Sequence, residues 1–420
     1  MTDPALAEPA LAEPALAEPA LAEPAASAAP AASGGPAGPG QVAGRVAGLD
    51  GLRGLAALYV LVHHCWLFTF HGYPRDTGPR WLGWLLYGHL GVVFFIVLSG
   101  FSLGITPARH GWRLGGLARY ARRRAWRILP PYWAALVFSL IVAWAVIPQP
   151  HSGPPDVASV FVYGLLLQDF VAVPVPNGAF WSIAVEAELY VLLPLLLLVR
   201  RRAGALAMLA FVAVPVLAFG VSHPNVSTVD RLTWLTPQFA PLFTMGLLGA
   251  GVVSDKLRGG RGERVRRLPW HWLALLAVLP VAVLSGLAGT VWTVHHYFWV
   301  DLAVAPAIAA LLAAVATRRP APLVWLLGTR PVRSLGTFSY SLYLIHVPIV
   351  VAVNRVRVPH LAGLHLAGPG LPTFWVTVGL SVPVAVAGAW LFAKVFEIPF
   401  QRYRSREALI AAVRQRAPLR

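Results

Sequence analysis

Residues 49–68 read LDGLRGLAALYVLVHHCWLF. As a helix this run is about 30 Å long, enough to cross a bilayer. It nevertheless contains an arginine, Arg53, and a histidine, His64. Ionisable groups are costly in lipid and face a protein interior or a water-filled cavity. Eleven residues of helix are about three turns, so both side chains fall on nearly one face, about 16 Å apart. The adjacent His63 points roughly 100° away. Asp50, three residues before Arg53, is placed to pair with it. A plain anchor needs none of this. The bland readings are a snorkelling arginine that marks the membrane boundary and a hydrogen-bonded bundle histidine.

The rest of the chain is built in the same way. It is 57% hydrophobic and 12% charged, about half the charge of a soluble domain. The sequence therefore predicts an all-α integral membrane protein, a polytopic bundle of about ten transmembrane helices with eleven possible. The expected spans are 49–70, 84–105, 129–147, 178–199, 204–221, 233–253, 271–288, 297–317, 334–354 and 372–395. The apolar stretch 157–173 either spans or lies re-entrant in the interface. With ten spans, every strong basic cluster falls on one side, which the positive-inside rule makes cytoplasmic together with both termini. The net charge of +17 is thus topological, and nucleic acid is not an expected partner. Residues 1–44 repeat ALAEP and then run through Pro, Ala, Gly and Ser. Proline every fifth residue blocks a long helix, so a disordered N-terminal tail is expected. It is followed by a membrane-embedded domain over 45–403 and a basic tail over 404–420. Cys65 is the single cysteine and reads as inert packing.

Other polar groups interrupt apolar runs. The segment 106–128 holds seven arginines (Arg109, Arg113, Arg119, Arg122, Arg123, Arg124, Arg127) and no acid. It reads as a cytoplasmic loop that contacts anionic lipid or, more sharply, phosphate, since guanidinium forks pair with phosphates. Within WSIAVEAELY (181–190), Glu186 and Tyr190 share a helical face while Glu188 points elsewhere. Ser339, Tyr343 and His346 form a polar stripe in SYSLYLIHVP (339–348). The histidines lack metal-ligand spacing, so no metal is expected.

In this order, LDGLRGLAAL with Arg53 and His64, FFIVLSGF (94–101), RRAWRILPPY (123–132), WSIAVEAELY, SYSLYLIHVP and Glu397-Ile398-Pro399 resemble the acyltransferase-3 family of membrane acyl-transfer enzymes. The resemblance covers about residues 48–403. It implies a ten- or eleven-helix bundle that moves acyl groups from acyl-CoA to hydroxyls, often on carbohydrates. It further implies Arg53 and His64 as the essential pair, with the arginines around Arg124 and Arg127 in donor binding or site assembly. One departure stands out. The family shows two adjacent acids after the WS pair, whereas here Glu186 is followed by Ala187.

The expected activity is O-acylation, with acyl-CoA, acetyl-CoA by default, as a donor substrate and no permanently bound cofactor. His64 takes the acceptor's proton, and Arg53 or a neighbouring polar group meets the oxyanion. Glu186 orients His64 or binds the acceptor. Asp50, Arg123, Arg124, Arg127, Trp181, Ser182, Tyr190, Ser339, Tyr343 and His346 line the substrate sites. The acceptor is a glycan or, alternatively, a secondary metabolite such as a macrolide. An alternative of another class is a proton-coupled transporter or lipid exporter.

Overall fold

The computed structural model describes residues 46, 48–70, 72–75, 78–150, 152–222, 236–253, 260–361 and 370–403. The expected tails, 1–44 and 404–420, lie outside the described residues. Every described regular element is helical. In chain order these are α1 (Leu49–Leu67), α2 (His89–Arg109), α3 (Leu117–Ala145), α4 (Val157–Gly164), α5 (Trp181–Arg202), α6 (Ala205–Ser222), α7 (Phe239–Ala250), α8 (Gly260–Arg267), α9 (Trp270–His295) and α10 (Tyr297–Ala316). They continue with α11 (Ala321–Gly328), α12 (Arg330–Thr337), α13 (Ser339–Leu361), α14 (Leu371–Phe392) and α15 (Ile398–Arg402). A 3-10 segment, Arg80–Tyr87, leads into α2, and a π-helical turn, Ala393–Glu397, joins α14 to α15.

Among the described residues, seven helical stretches are long and apolar enough to cross a membrane: α2, α3, α5, α6, α9, α10 and the run Leu371–Arg402. An eighth is the pair α12–α13, bent by 75° at its break. The expected span 334–354 is therefore broken rather than straight. The stretch 157–173 is helical only over α4, whose eight residues cover about 12 Å, far short of a bilayer. Asp156 starts α4 with a capping box, accepting from the Ser159 amide at 2.7 Å. The expected loop 106–128 is also corrected. After Gly115 and Gly116, both at positive φ, the chain becomes helical at Leu117. LARYARRRAWR is rich in Ala, Leu and Arg, which are strong helix formers. Arg119, Arg122, Arg123, Arg124 and Arg127 thus lie on α3, continuous with the expected span 129–147.

Two close approaches set the frame around α1 and α2. A methyl group on Gly100 would collide with the Phe243 carbonyl oxygen, and one on Gly246 with that of Val97. The glycines thus let the α2 and α7 backbones touch, as small residues do at membrane helix crossings. Gly336 of α12 likewise meets the Asp50 carbonyl and holds the start of α1 against α12. By contrast, Leu206 of α6 and Leu287 of α9 are 82% and 84% exposed. Such outward apolar faces suit lipid.

Candidate active site

The site grows from α1. His64 Nδ1 lies 2.8 Å from the Val60 carbonyl one turn earlier. A carbonyl only accepts, so Nδ1 carries the proton and Nε2 keeps its lone pair. His346 of α13 is set in the same way by the Tyr343 carbonyl, 2.7 Å from its Nδ1. Its unprotonated Nε2 then faces His64 Nδ1 at 3.2 Å. The two rings cross nearly edge to face, with centroids 4.8 Å apart. His346 is fully buried, while His64 is half-buried. The outcome is a base–orienter pair: His64 keeps an available Nε2, and its single Nδ1 proton faces the Val60 carbonyl and, at the longer distance, His346 Nε2. His63 takes no part, since its Nδ1 meets the Leu85 carbonyl at 2.6 Å and so ties α1 to the 3-10 segment.

One face of α2 gathers the other polar groups. Phe95, Ser99 and Ser102 recur at helical spacing. Ser102 Oγ accepts from Arg53 Nη2 at 2.6 Å, and Arg53 Nη1 reaches Asp50 Oδ1 at 3.0 Å. Ser99 Oγ donates to Glu186 Oε1 at 2.8 Å. The Tyr190 hydroxyl also donates to Glu186 Oε1. Phe95 packs its ring against Tyr343 at 5.7 Å. The Tyr343 hydroxyl is 2.6 Å from Ser182 Oγ, and its ring is 5.6 Å from His346. The α1, α2, α5 and α13 contributions thus form a polar lining of three bonded groups, Asp50–Arg53–Ser102, Ser99–Glu186–Tyr190 and Ser182–Tyr343–His346–His64, with Phe95 between the last two. The bonds that orient His64 come from Val60 and His346, while Glu186 bonds Ser99 and Tyr190.

The other expected residues divide. Arg124 is half-buried, its Nε has no hydrogen-bond partner, and its electrostatic neighbours are Tyr190, Arg127, Tyr120 and Glu186. Arg127 is exposed and neighbours Arg124 and Glu397, whereas Arg123 is exposed. Ser339 donates back to the Gly336 carbonyl at 3.0 Å, at the end of α12. Trp181 joins a different cluster. It stacks on His89 and Phe239, each at 5.9 Å, and His89 Nε2 meets the fully buried Asp301 at 2.9 Å. Sequence reasoning missed this pair, although a lone acid inside the apolar run YFWVDLAVAPAI was a usable signal. It also passed over Ser102. Among the described residues, no group of three His, Cys, Asp or Glu is placed to hold a metal ion.

The acyltransferase-3 family, described as an acyltransferase domain, matches residues 46–394. The chain belongs to that family, and it is a membrane O-acyltransferase. The chain is 26% identical over 345 residues to a protein of Komagataeibacter xylinus provisionally named membrane-bound transacylase BcsY, covering 76% of this chain and 77% of that one. It is 27% identical over 387 residues to a Bacillus subtilis protein provisionally named peptidoglycan O-acetyltransferase YrhL, covering 86% of this chain but 56% of the relative. It is 24% identical over 333 residues to nodulation protein 10 of Rhizobium leguminosarum, covering 72% of this chain and 83% of that one. No solved structure matches.

Proposed function

We propose that the chain moves an acyl group, acetyl by default, from acyl-CoA to a hydroxyl of a carbohydrate or glycan, with His64 as general base. One observation carries this reading: both acceptors at His64 Nδ1 fix the tautomer that leaves Nε2 free. Nε2 takes the acceptor's proton as its oxygen attacks the thioester carbonyl. The tetrahedral intermediate then expels the thiolate, which receives that proton. His346 Nε2 and the Val60 carbonyl hold the Nδ1 proton while His64 is cationic. Arg53 lies about 16 Å from His64 along α1, so it does not meet the same carbonyl. The Ser182–Tyr343 hydroxyls, beside His346, replace it as candidate oxyanion donors once one of them turns from the Ala179 carbonyl that both face. Arg53 instead joins Asp50 to Ser102 and sets the donor side of the lining. Arg124, beside Tyr190 and Glu186, and its neighbour Arg127 serve assembly of the site. The glycan acceptor is supported by the name of the Bacillus subtilis relative.

The same reading completes the topology. Adding α1 and α7 to the seven apolar stretches and the bent pair gives about ten crossings, with α4 not spanning. Asp50 and Arg53 lower the apolar character of α1, and α7 is only 12 residues long. Both termini then lie with the basic clusters on the cytoplasmic side.

The test is release of free CoA by purified protein given acetyl-CoA and a hydroxyl acceptor. His64→Ala should cost about 10²- to 10⁴-fold in turnover while leaving membrane expression intact. Near-normal turnover in that variant would reject His64 as the base.

A further inference from the structure

A second polar site lies away from this lining. A cavity of about 960 Å³ opens between the ends of α2, α5 and α7 and the start of α9. Its walls carry four arginines, Arg109, Arg113, Arg200 and Arg201, together with Trp112 and Trp270, and no acid. Arg200 lies 4.6 Å above the Trp112 ring, and its Nε is buried without a hydrogen-bond partner. Trp112 is buried, whereas Trp270 stays half-exposed at the cavity wall.

We propose that this cavity holds the phosphorylated nucleotide end of acyl-CoA, an inference that rests on the acyl-CoA reading above. Several guanidinium groups without acids call for a polyanion, and their forks match phosphoryl oxygens. A nucleotide with a pyrophosphate and a ribose 3′-phosphate offers anions at several points, while a single phosphodiester headgroup leaves most of the forks unmatched. The half-exposed Trp270 indole supplies a face on which a base stacks. The position also fits. Arg200 follows Glu186 on α5 by fourteen residues, about 21 Å, and Arg109 follows Ser102 on α2 by seven, about 10 Å. The cavity therefore stands at the C-terminal end of the two helices that carry Ser99, Ser102, Glu186 and Tyr190. Coenzyme A has this layout, with its thioester held apart from its nucleotide by a pantetheine arm.

Arg113 and Arg201 are both exposed, so Arg113→Ala/Arg201→Ala does not endanger folding. The full chain, reconstituted in vesicles, is assayed with acetyl-CoA and with acetyl-dephospho-CoA, which lacks the 3′-phosphate. The expected wild-type KM is tenfold or more higher for the dephospho donor. The double variant should show a KM for acetyl-CoA raised at least tenfold, with the loss in KM rather than kcat, and little preference between the donors. A variant that keeps the wild-type KM and the 3′-phosphate preference overturns the proposal. So does a defect seen only when phosphatidylglycerol is added to phosphatidylcholine vesicles with KM unchanged, which assigns the cavity to a lipid headgroup. If the wild type releases no CoA from acetyl-CoA, the acyl-CoA reading itself falls, and this proposal with it.

Discussion

Replacing His346 with leucine removes the acceptor that faces His64 Nδ1 at 3.2 Å and leaves the Val60 carbonyl in place. The ground state loses little, because neutral His64 retains its bond to Val60. The transition state loses more, since the imidazole is then becoming cationic. A hydrogen bond to a charged group is worth about 1.5–3 kcal/mol, and each 1.36 kcal/mol is tenfold in rate. The expected fall in kcat for His346→Leu is therefore about 10- to 150-fold, with KM for both substrates little changed. His346→Gln can present an amide oxygen near the position of Nε2 and should recover part of the loss. In a His64→Ala background the leucine change should add almost nothing, because residues that act as a unit are not additive. CoA release by purified, monodisperse protein reads all three effects. A His346→Leu enzyme within twofold of wild type would refute the argument. So would a loss that persists undiminished in the His64→Ala background, which would mark His346 as structural only.

Two further outcomes are expected. Gly100→Ala drives a methyl group into the Phe243 carbonyl, an overpacking that costs about 1–3 kcal/mol. It should lower the thermal midpoint in detergent, and an unchanged midpoint would mean that α2 and α7 separate freely. Burial, with Glu188 second, pushes the Asp169 carboxyl up to about 7. The unfolded chain loses that proton near pH 3.9, so folded protein binds more protons between about 4 and 7. Wild-type stability should fall as pH rises through that window and level off above it. Asp169→Asn removes this contribution, so its midpoint should vary less with pH and exceed the wild type's above pH 7. Parallel profiles for the two proteins would contradict the buried-carboxyl account.

The sequence made the helices legible wherever apolar runs were long, and the motif order alone indicated the family. The Asp50–Arg53 pair was equally readable, because three residues on a helix are neighbours. What it could not show was who meets whom across the bundle. His64 and His346 each stood out, but they are 282 positions apart, and no local pattern reports a helix crossing. Ser102 was hidden because a serine in an apolar span has no period of its own until Arg53 is known to face it. The arginine segment was read as a loop because charge was taken as the mark of solvent, whereas its helix propensity decided the backbone. The stretch 157–173 had the apolar content of a span, yet helix α4 ends at Gly164, well before it could cross.

The spacing of Ser99 and Ser102 on α2 acts as a register mark. These hydroxyls hold Glu186 and Arg53, and the opposite face of α2 carries Gly100 against α7. Inserting or deleting one residue between them would turn the rest of the helix by about 100°. Either the charged anchors or the glycine crossing would then be misplaced. Length variation among descendants of this sequence should therefore be absent from the middle of α2. It should collect instead in connections that carry none of these contacts.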